Sequence, residues 1–265
     1  MGHGKLRKFA ENETFRCLVQ PATEEVVAGK EGGLLLKDHP LKGHWNEQVF
    51  DAPRPIVLEL GCGRGEYTID LSRRRPDCNY IGVDIKGARL WKGAKYATEQ
   101  GLGNVAFLRT RIEFIASFFA PVEVSEIWLT FSDPQLKSEN NRLTCPRFLE
   151  RYHRFLAPGG TVHLKTDSRF LHEYTKAVCA ANNLHILRCS EDLYGTPRSG
   201  DPALYEVQTY YEKMFLQMGL KITYLSFTLD HEGPYAAPDF DAAYWRALEG
   251  PRRTFDHQPA RNKVQ

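Results

Sequence analysis

The chain has 265 residues, 42% of them hydrophobic, and a formal net charge of +2: enough apolar material for one α/β core with extensions, and too small a charge excess to identify a nucleic-acid partner by itself. Its six cysteines (Cys17, Cys62, Cys78, Cys145, Cys179, Cys189) form no C-x-x-C pair and no Cys/His ligand spacing, which argues against a zinc module or a disulfide framework and predicts reduced thiols and no metal. A polar, charged N-terminus and the lack of any apolar run near the roughly 18 residues of a membrane span predict a cytoplasmic protein without membrane contact.

Residues 1–50 carry many charges and the loop signals Gly32-Gly33 and His39-Pro40. They are expected to form an N-terminal extension with a short helix near Lys5 to Phe15. A single domain is expected over residues 51–230. It opens on Pro55 to Leu60, a branched apolar run without polar alternation, as a strand buried on both faces of a parallel sheet reads. Gly61, Gly63 and Gly65 then turn the backbone, and Glu66 to Leu71 begins a helical pattern. Strand, glycine turn and helix open a nucleotide-binding βαβ unit. A second strand, Asn79 to Asp84, ends in an acid about twenty residues past the turn, where a carboxylate accepts hydrogen bonds from both hydroxyls of a ribose.

Helix and strand alternate from there. Gly87 to Gln100 reads as a helix, Asn104 to Leu108 as a strand, Ile112 to Phe119 as a short helix, and Glu126 to Phe131 as the fourth strand. Phe148 to Phe155 is helical, Leu156 to Gly160 a turn, and Thr161 to Thr166 the fifth strand. Ser168 caps a helix that runs to about Ala181. Leu184 to Cys189 is the sixth strand, Glu206 to Met218 an amphipathic helix stopped by Gly219, and Ile222 to Leu229 the seventh strand. The alternation predicts a doubly wound, seven-stranded Rossmann-like sheet with ligands outside the carboxyl ends of its strands. Residues 231–265 are expected to form a C-terminal extension with one helix at Ala242 to Leu248 and a disordered end.

The ligand class follows from spacing and charge. A dinucleotide site needs G-x-G-x-x-G so that a helix N-terminus meets a pyrophosphate, whereas this turn is G-x-G-x-G with Glu59 before it. A carboxylate there repels a pyrophosphate and suits the sulfonium and α-amino group of S-adenosylmethionine. At the fourth strand's end, Pro134 keeps Asp133 extended and presents its carboxylate at the sheet edge, although Asp-Pro pairs also simply start turns. Basic residues cluster at Lys5-Arg7-Lys8, Arg73-Arg74-Arg75, Lys86-Arg89-Lys92-Lys95 and Arg252-Arg253 while acids are dispersed, a pattern shared by solvated faces and phosphate-binding surfaces.

Glu59-Leu60-Gly61-Cys62-Gly63-Arg64-Gly65, Phe131-Ser132-Asp133-Pro134-Gln135-Leu136-Lys137, Leu156 to Gly160, Thr166-Asp167 and Thr209-Tyr210-Tyr211-Glu212 together resemble bacterial tRNA (guanine-N7)-methyltransferases over about residues 55–229. The resemblance implies a class I methyltransferase fold, S-adenosylmethionine as cofactor, tRNA as partner, and methylation of a variable-loop guanine at N7. It implies that Glu59, Gly61, Gly63, Gly65 and Asp84 hold the cofactor, with Thr110 near the adenine, and that Asp133 borders the cofactor as the catalytic acid. It implies that Lys137, Asp167, Thr209 and Glu212 hold the substrate; Lys137, Arg142 and the basic helices are expected at phosphates. The chain departs from the family's Phe-Pro-Asp-Pro-Trp and the basic run after it, with Ser132, Gln135 and a nearly neutral Ser138 to Arg142. An amino methyltransferase acting on adenine or cytosine, and an inactive RNA-binding protein of the same fold, are the alternatives; a dehydrogenase is disfavoured by the glycine spacing. Both monomer and homodimer remain open.

Overall fold

The computed structural model describes residues 3–29, 35–231 and 233–249. The first segment places α1 (His3–Asn12), β1 (Leu18–Val19), α2 (Thr23–Val26) and β2 (Val27–Gly29), and β3 (Leu35–Leu36) and α3 (Trp45–Gln48) follow. The apolar runs then form β4 (Ile56–Leu60), β5 (Asn79–Asp84), β6 (Val105–Arg109) and β7 (Val124–Thr130), with α4 (Glu66–Arg74) and α5 (Gly87–Glu99) between the first three and a 3-10 turn (Ile112–Ser117) before β7. After them come α6 (Pro146–His153), β8 (Leu156–Thr166), α7 (Arg169–Ala181), β9 (Ile186–Ser190), α8 (Ala203–Glu206), α9 (Tyr210–Gln217), β10 (Thr223–Thr228) and α10 (Ala242–Glu249).

The main sheet runs β1-β6-β5-β4-β7-β8-β10-β9. Every neighbour pair is parallel as far as β8, and β10 lies antiparallel to both β8 and β9. Seven of these are the expected strands; Leu18–Val19 adds an eighth at the edge, pairing with Phe107 and Leu108. Strand order reverses between β4 and β7. A ligand crevice opens at such a switch point, outside the carboxyl ends.

Alternation divides the core. Ile56, Leu58, Leu60, Ile81, Val83, Ile127 and Leu129 pack with Phe114, Phe148, Tyr152 and Leu171, so the 3-10 turn, α6 and α7 cover one face. Val57, Tyr80 and Trp128 meet Tyr67 and Leu71 of α4, and Phe107 meets Leu90, Ala94 and Ala97 of α5, on the other. Period-2 strands buried on both faces require this.

Three local expectations change. The helix expected over Glu206 to Met218 is two helices: Thr209 is extended (φ −68°, ψ 163°) and its Oγ accepts from the Glu212 amide, so α9 starts anew there. The expected turn at Leu156 to Gly160 lies inside β8, where register jumps from Val124↔Leu156 to Glu126↔Thr161 and residues 157–160 bulge outward. The expected helix over Ile112 to Phe119 is the 3-10 turn. Among the described residues no helix is long and apolar enough to cross a membrane. Arg252, Arg253 and the expected disordered end lie outside the described residues.

Candidate active site

The glycine turn is built on positive dihedrals, with φ of +84°, +58° and +72° at Gly61, Gly63 and Gly65, a region that side chains with a Cβ avoid. Its glycines differ in what they make room for. A Cβ on Gly61 or Gly63 would meet no protein atom within 4 Å, whereas one on Gly65 would stand 2.4 Å from the Phe107 ring. Gly65 therefore lets α4 approach β6, while Gly61 and Gly63 bare backbone toward the crevice. Gly82 and Gly93 complete the slot for Phe107, at 2.9 and 2.6 Å from its ring by the same measure.

The two acids flank this turn. Asp84, 8% exposed, accepts from the Gly63 amide at Oδ2 (3.1 Å) and from the Lys86 amide at Oδ1 (2.7 Å). It is thereby fixed to the turn with lone pairs to spare. Glu59 lies deeper, 3% exposed. Its Oε2 accepts from the amide (2.8 Å) and hydroxyl of Thr68 on α4, and its Oε1 accepts from Thr130 Oγ1 (2.6 Å) at the end of β7. Burial raises this carboxyl to about 7 against the lowering effect of those hydrogen bonds. Cys62 beside it is buried with its thiol pushed well up by burial and the two acids, an inert packing residue. Thr110 is buried directly after β6, at the same edge.

The loop after β7 starts one residue beyond Thr130. The Phe131 amide donates to the Lys165 carbonyl (2.8 Å), and Phe131 and Gln135 have φ of +51° and +48°. Non-glycine residues in that region carry strain of about 1 kcal/mol or more each. Between them Pro134 is buried, Asp133 is exposed, and Asp133 Oδ1 accepts from the Gln135 amide (2.9 Å). Asp133 thus closes an Asx turn. Lys137 is exposed on the same loop. Arg142, expected at phosphates, is instead 3% exposed, with its guanidinium 4.7 and 4.4 Å from the Phe170 and Tyr174 rings and Nε donating to the Gln135 carbonyl (3.3 Å). An arginine stacked on two rings holds the loop from within. From outside, Arg246 of α10 donates Nε and Nη2 to the Leu136 carbonyl (3.2 and 2.8 Å). Glu249 accepts from Ser168 Oγ and the Phe170 amide at the start of α7, which ties the loop to the turn carrying Asp167.

The opposite wall is α9. Glu212 is fully buried and its Oε1 pairs with Lys165 Nζ at 2.7 Å, also fully buried, and accepts from Tyr194 OH (2.6 Å). Lys165 also donates to the Leu204 and Val207 carbonyls (2.7 and 3.2 Å), the C-terminal groups that α8 leaves unpaired. Burial lowers the lysine and raises the glutamic acid from their ordinary values, each opposed by its partner. The Tyr210 amide donates to Glu66 Oε2 (3.0 Å), so α9 begins against the first residue of α4. Tyr210, 60% exposed, Tyr211, Phe215 and Phe131 follow one another in ring contact.

The structure therefore gathers Glu59, the glycines, Asp84, the Asp133 loop and the Thr209 to Glu212 segment at one edge. Thr68, Thr130, Lys165 and Arg246 join them and carried no motif. His163 stacks on Trp128 (4.0 Å, 7°) and bonds Tyr224 OH (2.7 Å), a packed residue. Among the described residues no group of acids, histidines and cysteines could hold a metal.

A family described as "Putative methyltransferase" matches residues 53–225. The tRNA (guanine-N(7)-)-methyltransferase of Bacteroides thetaiotaomicron is 47% identical over 244 residues, covering 91% of this chain and 92% of the relative. That of Christiangramia forsetii is 48% identical over 85% of this chain and 97% of its own length. Porphyromonas gingivalis has one 51% identical over 76% and 83%. Among solved structures, the 16S rRNA methyltransferase KamB superposes with a TM-score of 0.53 at 15% identity, over 77% of this chain and 98% of that one, a likeness of fold alone. Fold and family match define a class I methyltransferase. Identity at this level over nine-tenths of both chains goes further, and the chain belongs to the tRNA (guanine-N7)-methyltransferase family.

Proposed function

We infer that this chain transfers a methyl group from S-adenosylmethionine to N7 of a guanine in tRNA. One observation carries the reading. The Glu59 carboxylate joins Thr68, behind the glycine turn, to Thr130, three residues before Asp133, so the cofactor side and the reacting loop are parts of one hydrogen-bonded unit at the switch point of the sheet.

The residues fit the cofactor. Gly61 and Gly63 leave backbone uncovered where a Cβ would project into open space, Asp84 offers a fixed carboxylate to a ribose, and Glu59 sets a buried acid beneath the turn. Gly65 sets the start of α4, and Thr110 borders the adenine end. When bound, S-adenosylmethionine supplies an electrophilic methyl group on a cationic sulfur.

Guanine N7 carries an in-plane lone pair, so no base has to remove a proton before attack, and the product ring is cationic. Asp133 accepts hydrogen bonds from the guanine N–H edge and offsets the developing charge. Its Asx turn fixes the carboxylate in advance, so alignment and electrostatic support provide the catalysis. Lys137 and Asp167 border the guanine from the loop and from the end of β8. Thr209 caps α9, and Glu212, held by Lys165, keeps α9 in place as the remaining wall. A base in a helix must be exposed to reach such a site, which favours unpaired or looped nucleotides.

The test is transfer of labelled methyl from S-adenosylmethionine to unmodified bulk tRNA, with digestion and identification of the product nucleoside. Label in 7-methylguanosine is expected. Label in methylated adenine or cytosine would replace this reading with the amino-methyltransferase one, and no label despite bound cofactor would replace it with a binding-only protein.

A further inference from the structure

Helices α1 and α5 carry a cluster of basic residues. Helix α1 lies along α5: Asn12 Nδ2 donates to the Gly87 carbonyl (3.0 Å), Trp91 Nε1 donates to Glu11 Oε2 (2.6 Å), and Lys8 Nζ sits 4.6 Å above the Trp91 ring. The pair presents Lys5, Arg7 and Lys8 from α1 and Arg89, Lys92 and Lys95 from α5. These six cations face two acids within the helices, Glu11 and Glu99, on a chain whose net charge is only +2. Glu11 takes the Trp91 hydrogen bond and pairs with Arg7 and Lys95, Glu99 pairs with Lys95, and Glu66 of α4 pairs with Lys92, all at exposed or half-exposed side chains that a polyanion can compete for. Arg89, Lys92 and Lys95 recur every third residue, which keeps them on neighbouring sides of one helix.

This surface is continuous with the candidate site. Lys86, the N-cap residue of α5, donates its amide to Asp84, so the basic helix begins at the lip of the cofactor turn. The neutral loop at Ser138 to Arg142, with Arg142 buried, offers few cations on the other side of the crevice.

We propose that the joined α1–α5 face is the docking surface for the tRNA sugar-phosphate backbone, guiding the target guanine toward Asp133. The proposal rests on the methyl-transfer reading above and adds where the RNA lies. Six clustered cations beside an aromatic ring suit a polyanion, and they position the RNA without reading its bases.

The test measures tRNA affinity across a salt series from about 50 to 200 mM for the full-length protein and three variants. Lys5→Gln/Arg7→Gln/Arg89→Gln removes three docking charges. It is expected to make the log–log salt slope shallower by about two to three, at roughly 0.7–0.9 per lost phosphate contact, and to weaken binding on the order of tenfold or more at the low-salt end. Arg7→Gln alone, an exposed side chain, is expected to lower the slope by about one. Arg147→Gln/Arg154→Gln removes two exposed cations from the α6 region on the opposite sheet face and is expected to leave it unchanged. Cofactor affinity, measured in parallel, is expected to be equal in all. An unchanged slope in the triple variant, or an equal loss in the α6 variant, overturns the docking surface. Failure of wild-type protein to label tRNA overturns instead the methyl-transfer reading beneath it.

Discussion

Replacing Lys165 by methionine tests how the substrate wall is held. The ammonium is fully buried and serves three acceptors, Glu212 Oε1 at 2.7 Å and the Leu204 and Val207 carbonyls at 2.7 and 3.2 Å. Methionine keeps the stem and deletes the charge. It leaves a buried glutamate with no counter-charge and two carbonyls without that donor, and breaking a buried pair from one side costs about 3–5 kcal/mol. For a chain of this size that is a fall in Tm of roughly 10 °C. Lys165→Met/Glu212→Gln removes both charges while a side-chain carbonyl still accepts from Tyr194, so about half of the loss is expected to return. Urea unfolding of wild type, both single variants and the double variant gives the coupling directly. The reasoning fails if Lys165→Met costs less than about 1 kcal/mol, or if the double variant is as unstable as that single variant. Because the pair seats α9, Lys165→Met is also expected to raise KM for tRNA more than KM for the cofactor.

Glu59 predicts a pH dependence. Its folded carboxyl titrates at about 7, above the ordinary 4.5, so between those values the native state holds more protons than the unfolded chain. Stability from this group therefore falls as pH rises from about 4.5 to about 7, by at most roughly 3 kcal/mol, and then levels. Glu59→Gln is expected to lose that slope, and identical urea midpoints against pH in variant and wild type would contradict it. Arg246→Ala frees the Leu136 carbonyl and is expected to lower kcat several-fold with little change in cofactor affinity; unchanged kcat would remove α10 from the support of the loop. Gly65→Ala forces a Cβ against Phe107 at a φ of +72° and is expected to cost about 2–4 kcal/mol. Phe107→Leu in the same chain should recover part of it, and no recovery would count against the slot.

What the sequence made legible follows from locality. The buried strands, the glycine turn and the acid ending β5 are contiguous patterns set by backbone geometry; that Asp84 accepts from the Gly63 amide is added by the structure. The apolar period over Glu206 to Met218 hid the break between α8 and α9, which the Thr209 cap makes. The partners of Glu59 were not legible. Thr68 and Thr130 are ordinary residues 9 and 71 positions away along the chain, and only the crossing of β4, α4 and β7 brings them to one carboxylate. Lys165 resembles any polar residue near a strand end; its acceptors lie 39 to 47 residues on. Arg142 misled for the converse reason, because a cation in a polar run reads as solvated until Phe170 and Tyr174 are placed against it.

The central claim is that a guanine is methylated at N7 against the Asp133 loop. The most direct measurement is single-turnover methyl transfer to unmodified tRNA by wild type and Asp133→Ala, with the product nucleoside identified and cofactor affinity measured on both proteins. The account predicts 7-methylguanosine from wild type, a rate lower by about a hundredfold or more in the variant, and cofactor binding within twofold. Comparable rates in the two proteins would remove Asp133 from the chemistry, and label in any other nucleoside would contradict the account itself.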